Sequence, residues 1–113
     1  MKEQKPLIKF DDFEKIDMRI GYVEVAEEIE GSDKLIKMQV DFGEMGKRQI
    51  LSGIKLWYKP EDLLGKKFPF VVNIEPRNIM GHESQGMIVA ADFEDVPVIF
   101  HLDKDVSNGT LIR

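Results

Sequence analysis

From residue 36 to 42, apolar Ile36, Met38, Val40 and Phe42 alternate with Lys37, Gln39 and Asp41. That period of two is the signature of a strand with one buried face. Gly43-Glu44-Met45-Gly46 then turns the chain, and 47–52 returns as a partner strand, so the pattern predicts a hairpin. A longer strand pattern precedes it over 18–29, with Gly21 inside, and glycine in a strand is expected to mark a bulge where the sheet bends. Between these strands Glu30-Gly31-Ser32-Asp33 reads as a turn. Beyond Ser52-Gly53, Pro60-Glu61-Asp62-Leu63-Leu64-Gly65 places proline at a first helical position, acids in the first turn and glycine at the end, which predicts a short helix. Two further apolar runs, 68–74 and 86–91, are the fourth and fifth strands, and 96–101 is apolar enough for an edge strand. A turn at Ser107-Asn108-Gly109 leads into a short tail. At the other end, Phe10, Phe13 and Ile16 at helical spacing, with Asp11 three residues before Glu14, suggest one or two helical turns docked on the body.

The order strand, strand, strand, helix, strand, strand predicts an all-β chain. It is that of a five-stranded OB-fold barrel with a short helix between strands three and four, an N-terminal helical turn and a C-terminal edge extension. Residues 1–11 then form an N-terminal extension, and 12–113 the barrel domain. The stretch between strands four and five is the anomaly. A hairpin needs about two to five residues to turn. This one spends about ten, among them Arg77, Asn78, His82, Glu83, Ser84 and Gln85. In an OB-fold that loop, the turn at 30–33 and the 34–52 hairpin flank the ligand face.

Charge sharpens the picture. The chain of 113 residues has a formal net charge of −5, which at first argues against a nucleic-acid ligand. Residues 1–33 and 78–113 are acidic, however, while 34–77 holds nine Lys/Arg against five Asp/Glu. A basic face on an acidic body is therefore expected, with Lys34, Lys37, Lys47, Arg48 and Lys55 as phosphate contacts. The bland reading of those lysines is a solvated face. Trp57 and Tyr58 could stack on a base, but just before a helix the reading that they pack the barrel end carries more weight.

Other chemistries find little support. With 42% hydrophobic and 33% charged residues the composition is globular. There is no cysteine for a disulfide, thiolate metal site or nucleophile. His82-Glu83 is not a zinc-protease motif, His101 is distant, and no phosphate-loop, dinucleotide or nucleophile-elbow pattern occurs, so no catalytic residue, metal or cofactor is expected. MKEQKPLIKF lacks an apolar signal core and no run is long enough for a membrane helix, so a cytoplasmic location is expected.

Several motifs, taken together, carry a resemblance. Asp17-Met18-Arg19-Ile20-Gly21, Gly31-Ser32-Asp33-Lys34-Leu35, Ile50-Leu51-Ser52-Gly53-Ile54 and Val72-Asn73-Ile74-Glu75-Pro76-Arg77, followed by Ser84-Gln85-Gly86-Met87, resemble in order and spacing the tRNA-binding domain family. That family includes the C-terminal domain of methionyl-tRNA synthetase, its free-standing counterparts and the CsaA-type export chaperone. Gly31 to Leu35 look closer to the synthetase branch, and the lack of a catalytic domain suggests a free-standing unit or separate subunit.

The resemblance implies a non-catalytic protein that binds tRNA by shape, largely without regard to sequence, and that forms a homodimer. It would act in trans to, or as a subunit of, methionyl-tRNA synthetase. Carried over by position, it implies Lys34, Asn73, Arg77, Ser84 and Met87 as nucleic-acid contacts, with Ser52 in support. Asn73 and Ser84 are equally suited to holding the loop in shape, and Arg19 to pairing with a nearby acid. Where the family often has a lysine after the Pro-Arg pair, this chain has Asn78, which removes a phosphate contact. The alternative function is a CsaA-type chaperone that binds extended polypeptide in the same groove. The apolar 96–100 stretch is the candidate dimer surface.

Overall fold

The computed structural model describes residues 2–113. Its frame is one curved antiparallel sheet in the order β3-β2-β1-β4-β7, formed by β1 (Met18–Glu28), β2 (Ile36–Asp41), β3 (Lys47–Ser52), β4 (Lys67–Val71) and β7 (Met87–Ile88). The long β1 serves both halves: residues 22–28 pair with β2, while residues 18–22 pair with β4. A short β10 (Leu111–Ile112) adds to the start of β1. The alternation that predicted β2 is realised, with Ile36, Met38 and Val40 fully buried. They meet Val23, Ile50, Phe68 and Phe70 in one core, where Phe42 stands edge-on to Phe70 at 5.5 Å. Burying each such side chain contributes about 1.5–3 kcal/mol, which is what curls the sheet into a barrel.

The helix α2 (Pro60–Leu63) forms as expected: the Asp62 carboxylate accepts the Lys59 N–H at 2.8 Å, and Leu63 is driven into the barrel end. The barrel is nearly closed by backbone and side-chain bonds between β3 and the segment before β7. Gln85 N–H donates to the Gln49 carbonyl at 2.8 Å, and Gln49 N–H donates to Gln85 Oε1 at 3.0 Å. The result is the OB-like barrel that the order of elements predicted.

Five local expectations are corrected. The stretch after β4 is not an irregular loop but a second hairpin, β5 (Arg77–Ile79) with β6 (His82–Ser84), turned by Met80 and Gly81 at φ 52° and 82°. Both turn residues in the left-handed region give the primed geometry that suits a twisted hairpin. The fifth strand does not run over 86–91: β7 covers two residues, and the chain then leaves as β8 (Ala90–Phe93), which pairs with β9 (Val96–Ile99) in a separate hairpin rather than adding an edge to the barrel. Gly21 marks no bulge; the irregularity lies between Val23 and Val25. Gly21 is instead where β1 passes over Val40 and Phe42, and a Cβ there would come within 2.6 Å of the Phe42 ring. Finally α1 (Phe10–Phe13) forms, with Asp12 rather than Asp11 accepting the first free N–H, from Lys9. It does not dock its apolar face on the body, since Phe10 is 70% exposed.

Candidate nucleic-acid interface

The turn between β1 and β2 is held from inside. Ser32 is buried, and its Oγ accepts the N–H groups of Lys34 at 3.3 Å and Leu35 at 3.1 Å. Lys55 braces the same turn, donating its Nζ to the Ser32 carbonyl at 2.9 Å and its N–H to the Lys34 carbonyl at 3.0 Å. Lys34 therefore stands exposed on a fixed backbone. Facing the turn is the β5–β6 hairpin, and the cleft between them is lined by Asp33, Lys34, Leu35, Gly53, Ile79 and Met80. Arg77 lies exposed on β5, in register with Ser84. Among the described residues, neither Lys34 nor Arg77 has an acidic partner within 4.0 Å.

The other predicted phosphate contacts are differently placed. Because β1 and β2 run antiparallel with Glu27 opposite Lys37, the acids of the first third meet the cations of the middle third. Lys37 pairs with Glu27 at 3.2 Å, Lys47 with Glu24 at 3.1 Å and Lys55 with Glu28 at 3.8 Å. Arg48 donates to the Val72 carbonyl. The hydrogen bond and charge of Glu24 hold the Lys47 ammonium above its ordinary pKa. Part of the basic surplus visible along the sequence is thus matched by the acids of β1, and among the described cations without an acidic partner Lys34 sits on the turn and Arg77 on the hairpin, while Lys59 and Lys66 flank α2.

A second cleft adjoins the first at Gly53. It is lined by Ser52, Trp57 and Met87 on one side and by Ala90, Ala91 and Asp92 at the start of the β8–β9 hairpin. The two neighbouring aromatics have parted ways. Tyr58 packs the barrel end, its hydroxyl donating to the Pro97 carbonyl at 3.0 Å and accepting the Ile99 N–H at 3.3 Å. Trp57 is 44% exposed on the cleft wall, and Met87 is 49% exposed beside it.

The structure thus gathers Lys34, Ser52 and Met87 around Gly53, with Arg77 on the hairpin that walls the first cleft. The side chains of Ser84 and Asn73 are engaged within the protein. Ser84 is 4% exposed; its Oγ accepts the Leu51 N–H at 3.0 Å and donates to the Gly86 carbonyl at 3.1 Å, joining the hairpin to β3. Asn73 accepts the Asp17 N–H at 2.8 Å and donates to the Lys15 carbonyl at 2.6 Å, pinning the start of β1. Arg19 pairs with Asp17 at 2.7 Å and donates to the Gly109 carbonyl. Met80, which with Met87 can offer a base an apolar contact, lines this cleft, and so does Ile79, which the sequence did not mark; Gly81 beside Met80 was the available sign of a tight turn. Among the described residues no three His, Cys, Asp or Glu side chains come together as a metal site, and no helix is long and apolar enough to cross a membrane.

A barrel of this topology, with open clefts between its first connecting turn and the hairpin ahead of its last strand, is an OB-type binding domain. The chain belongs to the family described as "Putative tRNA binding domain", whose model matches residues 18–111. It is 49% identical over 111 residues, 98% of its length, to a methionine--tRNA ligase of Methanothrix thermoacetophila, and 47% identical over 109 residues, 95% of its length, to that of Lactococcus lactis. It spans only 16% of the length of either protein. Among solved structures it resembles a MetRS related protein from Pyrococcus horikoshii, with a TM-score of 0.88, 40% identity and coverage of 96% of this chain and 100% of that one. It also resembles the chaperone CsaA from Bacillus anthracis, with a TM-score of 0.85, 33% identity and coverage of 96% and 100%.

Proposed function

We propose that this chain is a non-catalytic tRNA-binding protein that recognises folded tRNA by shape, in trans to or as a subunit of a methionyl-tRNA synthetase in the cytoplasm. The observation that carries the reading is the pair of exposed cations, Lys34 and Arg77, on the two elements that wall an open cleft. They are positioned for phosphates, while Ser52, Met80 and Met87 offer contacts to sugars and exposed bases. Ser84 supports the hairpin that carries Arg77 by tying it to β3, and Asn73 anchors the start of β1. The methionine--tRNA ligases it resembles support the synthetase partner.

The test is titration of labelled, folded tRNA at low and moderate salt. With about three to five phosphates contacted, the log–log slope against salt is expected at roughly −2 to −4. Lys34→Ala and Arg77→Ala should each weaken binding, while Lys37→Ala, whose charge is already matched, should have a smaller effect. Absence of binding at low salt refutes the reading. A chaperone function is the second reading, favoured by the likeness to CsaA and by the apolar Leu35, Ile79 and Met80 in the first cleft. It predicts salt-tolerant binding of unfolded polypeptide instead.

A homodimer belongs to the proposal. Phe93, Val96, Val98 and Phe100 leave apolar surface exposed along the β8–β9 hairpin, and Leu7, Ile8 and Phe10 do the same at the N-terminal end. Such surface on a small domain is a mark of association. Sedimentation at micromolar concentration is expected to give the dimer mass, and a monomer there refutes it.

A further inference from the structure

We propose that the cleft between Trp57 and the β8–β9 hairpin holds one unpaired nucleobase of the RNA, stacked on the Trp57 indole. This rests on the tRNA-binding reading and gives it a base-binding subsite beyond the phosphate contacts. Trp57 is held there by the backbone. The N–H groups of Trp57 and Tyr58 both donate to the carbonyl of buried Ile54 at 3.0 Å, so the residue sits on a fixed turn rather than a loose loop. Its neighbour Tyr58 seals the barrel, which leaves the indole free to face outward.

Opposite wall and rim fit a base. Ala90 and Ala91 are small enough to leave width, and Met87 supplies an adaptable thioether that packs on flat rings. The rim carries two carboxylates: Asp92, paired with Lys2, and Asp95, 3.5 Å from the same ammonium. The pairs are exposed at the surface, and such pairs are weak and readily exchanged. Carboxylates repel phosphate but accept hydrogen bonds from the exocyclic amino groups of bases. The phosphate-binding cations lie on the adjoining cleft, across Gly53. A strand whose backbone follows Lys34 and Arg77 can therefore turn one base into the Trp57 cleft, and an unpaired base offers the free ring face that stacking needs.

The chain has a single tryptophan, so emission excited selectively at tryptophan, past the absorption of the two tyrosines, reports Trp57. We would titrate folded tRNA into wild type, Trp57→Ala and Trp57→Phe, following Trp57 emission in the wild type and anisotropy of labelled tRNA in all three. The expected result is quenching that saturates along the anisotropy curve. Trp57→Ala should bind about 5- to 150-fold more weakly, and Trp57→Phe should recover most of the loss, because it keeps a stacking face. Circular dichroism of Trp57→Ala should match wild type, and because the residue is only 44% exposed a lowered melting temperature is expected, so affinities are compared well below it. Anisotropy that saturates with unchanged emission and an unaltered Trp57→Ala affinity overturns the base subsite and leaves tRNA binding standing. A loss of affinity without quenching overturns it too. No anisotropy change at low salt refutes the tRNA reading and the subsite with it. In that case, an emission change on adding unfolded polypeptide would assign the cleft to peptide.

Discussion

Ser84→Ala separates a framework residue from a ligand contact more sharply than any other substitution. The residue is 4% exposed and its hydroxyl makes two hydrogen bonds within the protein: 3.0 Å from the Leu51 N–H and 3.1 Å to the Gly86 carbonyl. Removing it leaves a buried backbone N–H without an acceptor, and a carbonyl without a donor, at the seam that closes the barrel. An unsatisfied buried donor costs about 1–3 kcal/mol. For a chain of this length each kcal/mol is worth roughly 4 °C in melting temperature, so a fall of about 4–12 °C is expected. Urea unfolding should show a lower midpoint with an unchanged slope, because the surface exposed on unfolding is the same. Folded-tRNA affinity, measured well below the melting transition, should change little. An unchanged midpoint together with a tenfold loss of tRNA affinity would refute this reasoning and return the hydroxyl to the RNA.

The same logic gives further outcomes. Gly21→Ala forces a methyl within 2.6 Å of the Phe42 ring, which is itself buried and edge-on to Phe70. Overpacking of this kind costs about 1–3 kcal/mol, and a urea midpoint equal to wild type would show that the two rings can move aside. The Lys67 ammonium donates to Asp105 at 2.8 Å, and this hydrogen bond, with the charge behind it, holds the Asp105 carboxyl below its ordinary range. A depressed carboxyl pKa means that its stabilisation is full above the unfolded value near 3.8 and is lost as pH falls from there through the folded value. An NMR titration should place the Asp105 carboxyl below 3.8 in wild type and nearer that value in Lys67→Ala; identical midpoints would remove the pair from the account.

What was legible in the sequence is what one strand or one cap decides alone. The alternation through Ile36, Met38 and Val40 fixes which face of β2 is buried whatever its neighbours are, and Pro60 with Asp62 marks a helix start by local chemistry. The 77–84 hairpin was not legible because it lies outside the core: with polar Arg77, Asn78, His82 and Glu83 on it, there is little alternation to read. Its turn is Met80-Gly81 rather than Asn-Gly, and Met80 takes the left-handed conformation against its usual preference. The break after Ile88 was hidden for a different reason: Ala90 and Ala91 are compatible with staying in the barrel or leaving it, and only the β8–β9 pairing decides. At the site, the residues with polar tips looked alike in sequence. Lys34 and Lys37 differ because one stands on the turn and the other lies in β2 with Glu27 opposite it across the sheet.

That cross-strand matching also resolves how an acidic chain can present a cationic edge. Exposed ion pairs contribute little to stability, on the order of 0–1 kcal/mol each. Their larger effect here is on the field. Glu24, Glu27 and Glu28 cancel much of the charge of Lys47, Lys37 and Lys55 at separations of 3.1–3.8 Å, well inside a screening length of about 8 Å. Lys34 and Arg77 are left as local positive points flanking one cleft, and the carboxylates of Asp92 and Asp95 stand at the rim of the next. Under the proposed function a polyanion would be drawn to the turn and the hairpin, while at the β8–β9 rim Lys2 offsets part of the charge of Asp92 and Asp95 and leaves a weaker repulsion. Orientation by a few well-separated charges suits recognition of a folded shape, in which the spacing of phosphates rather than the order of bases is common to the ligands.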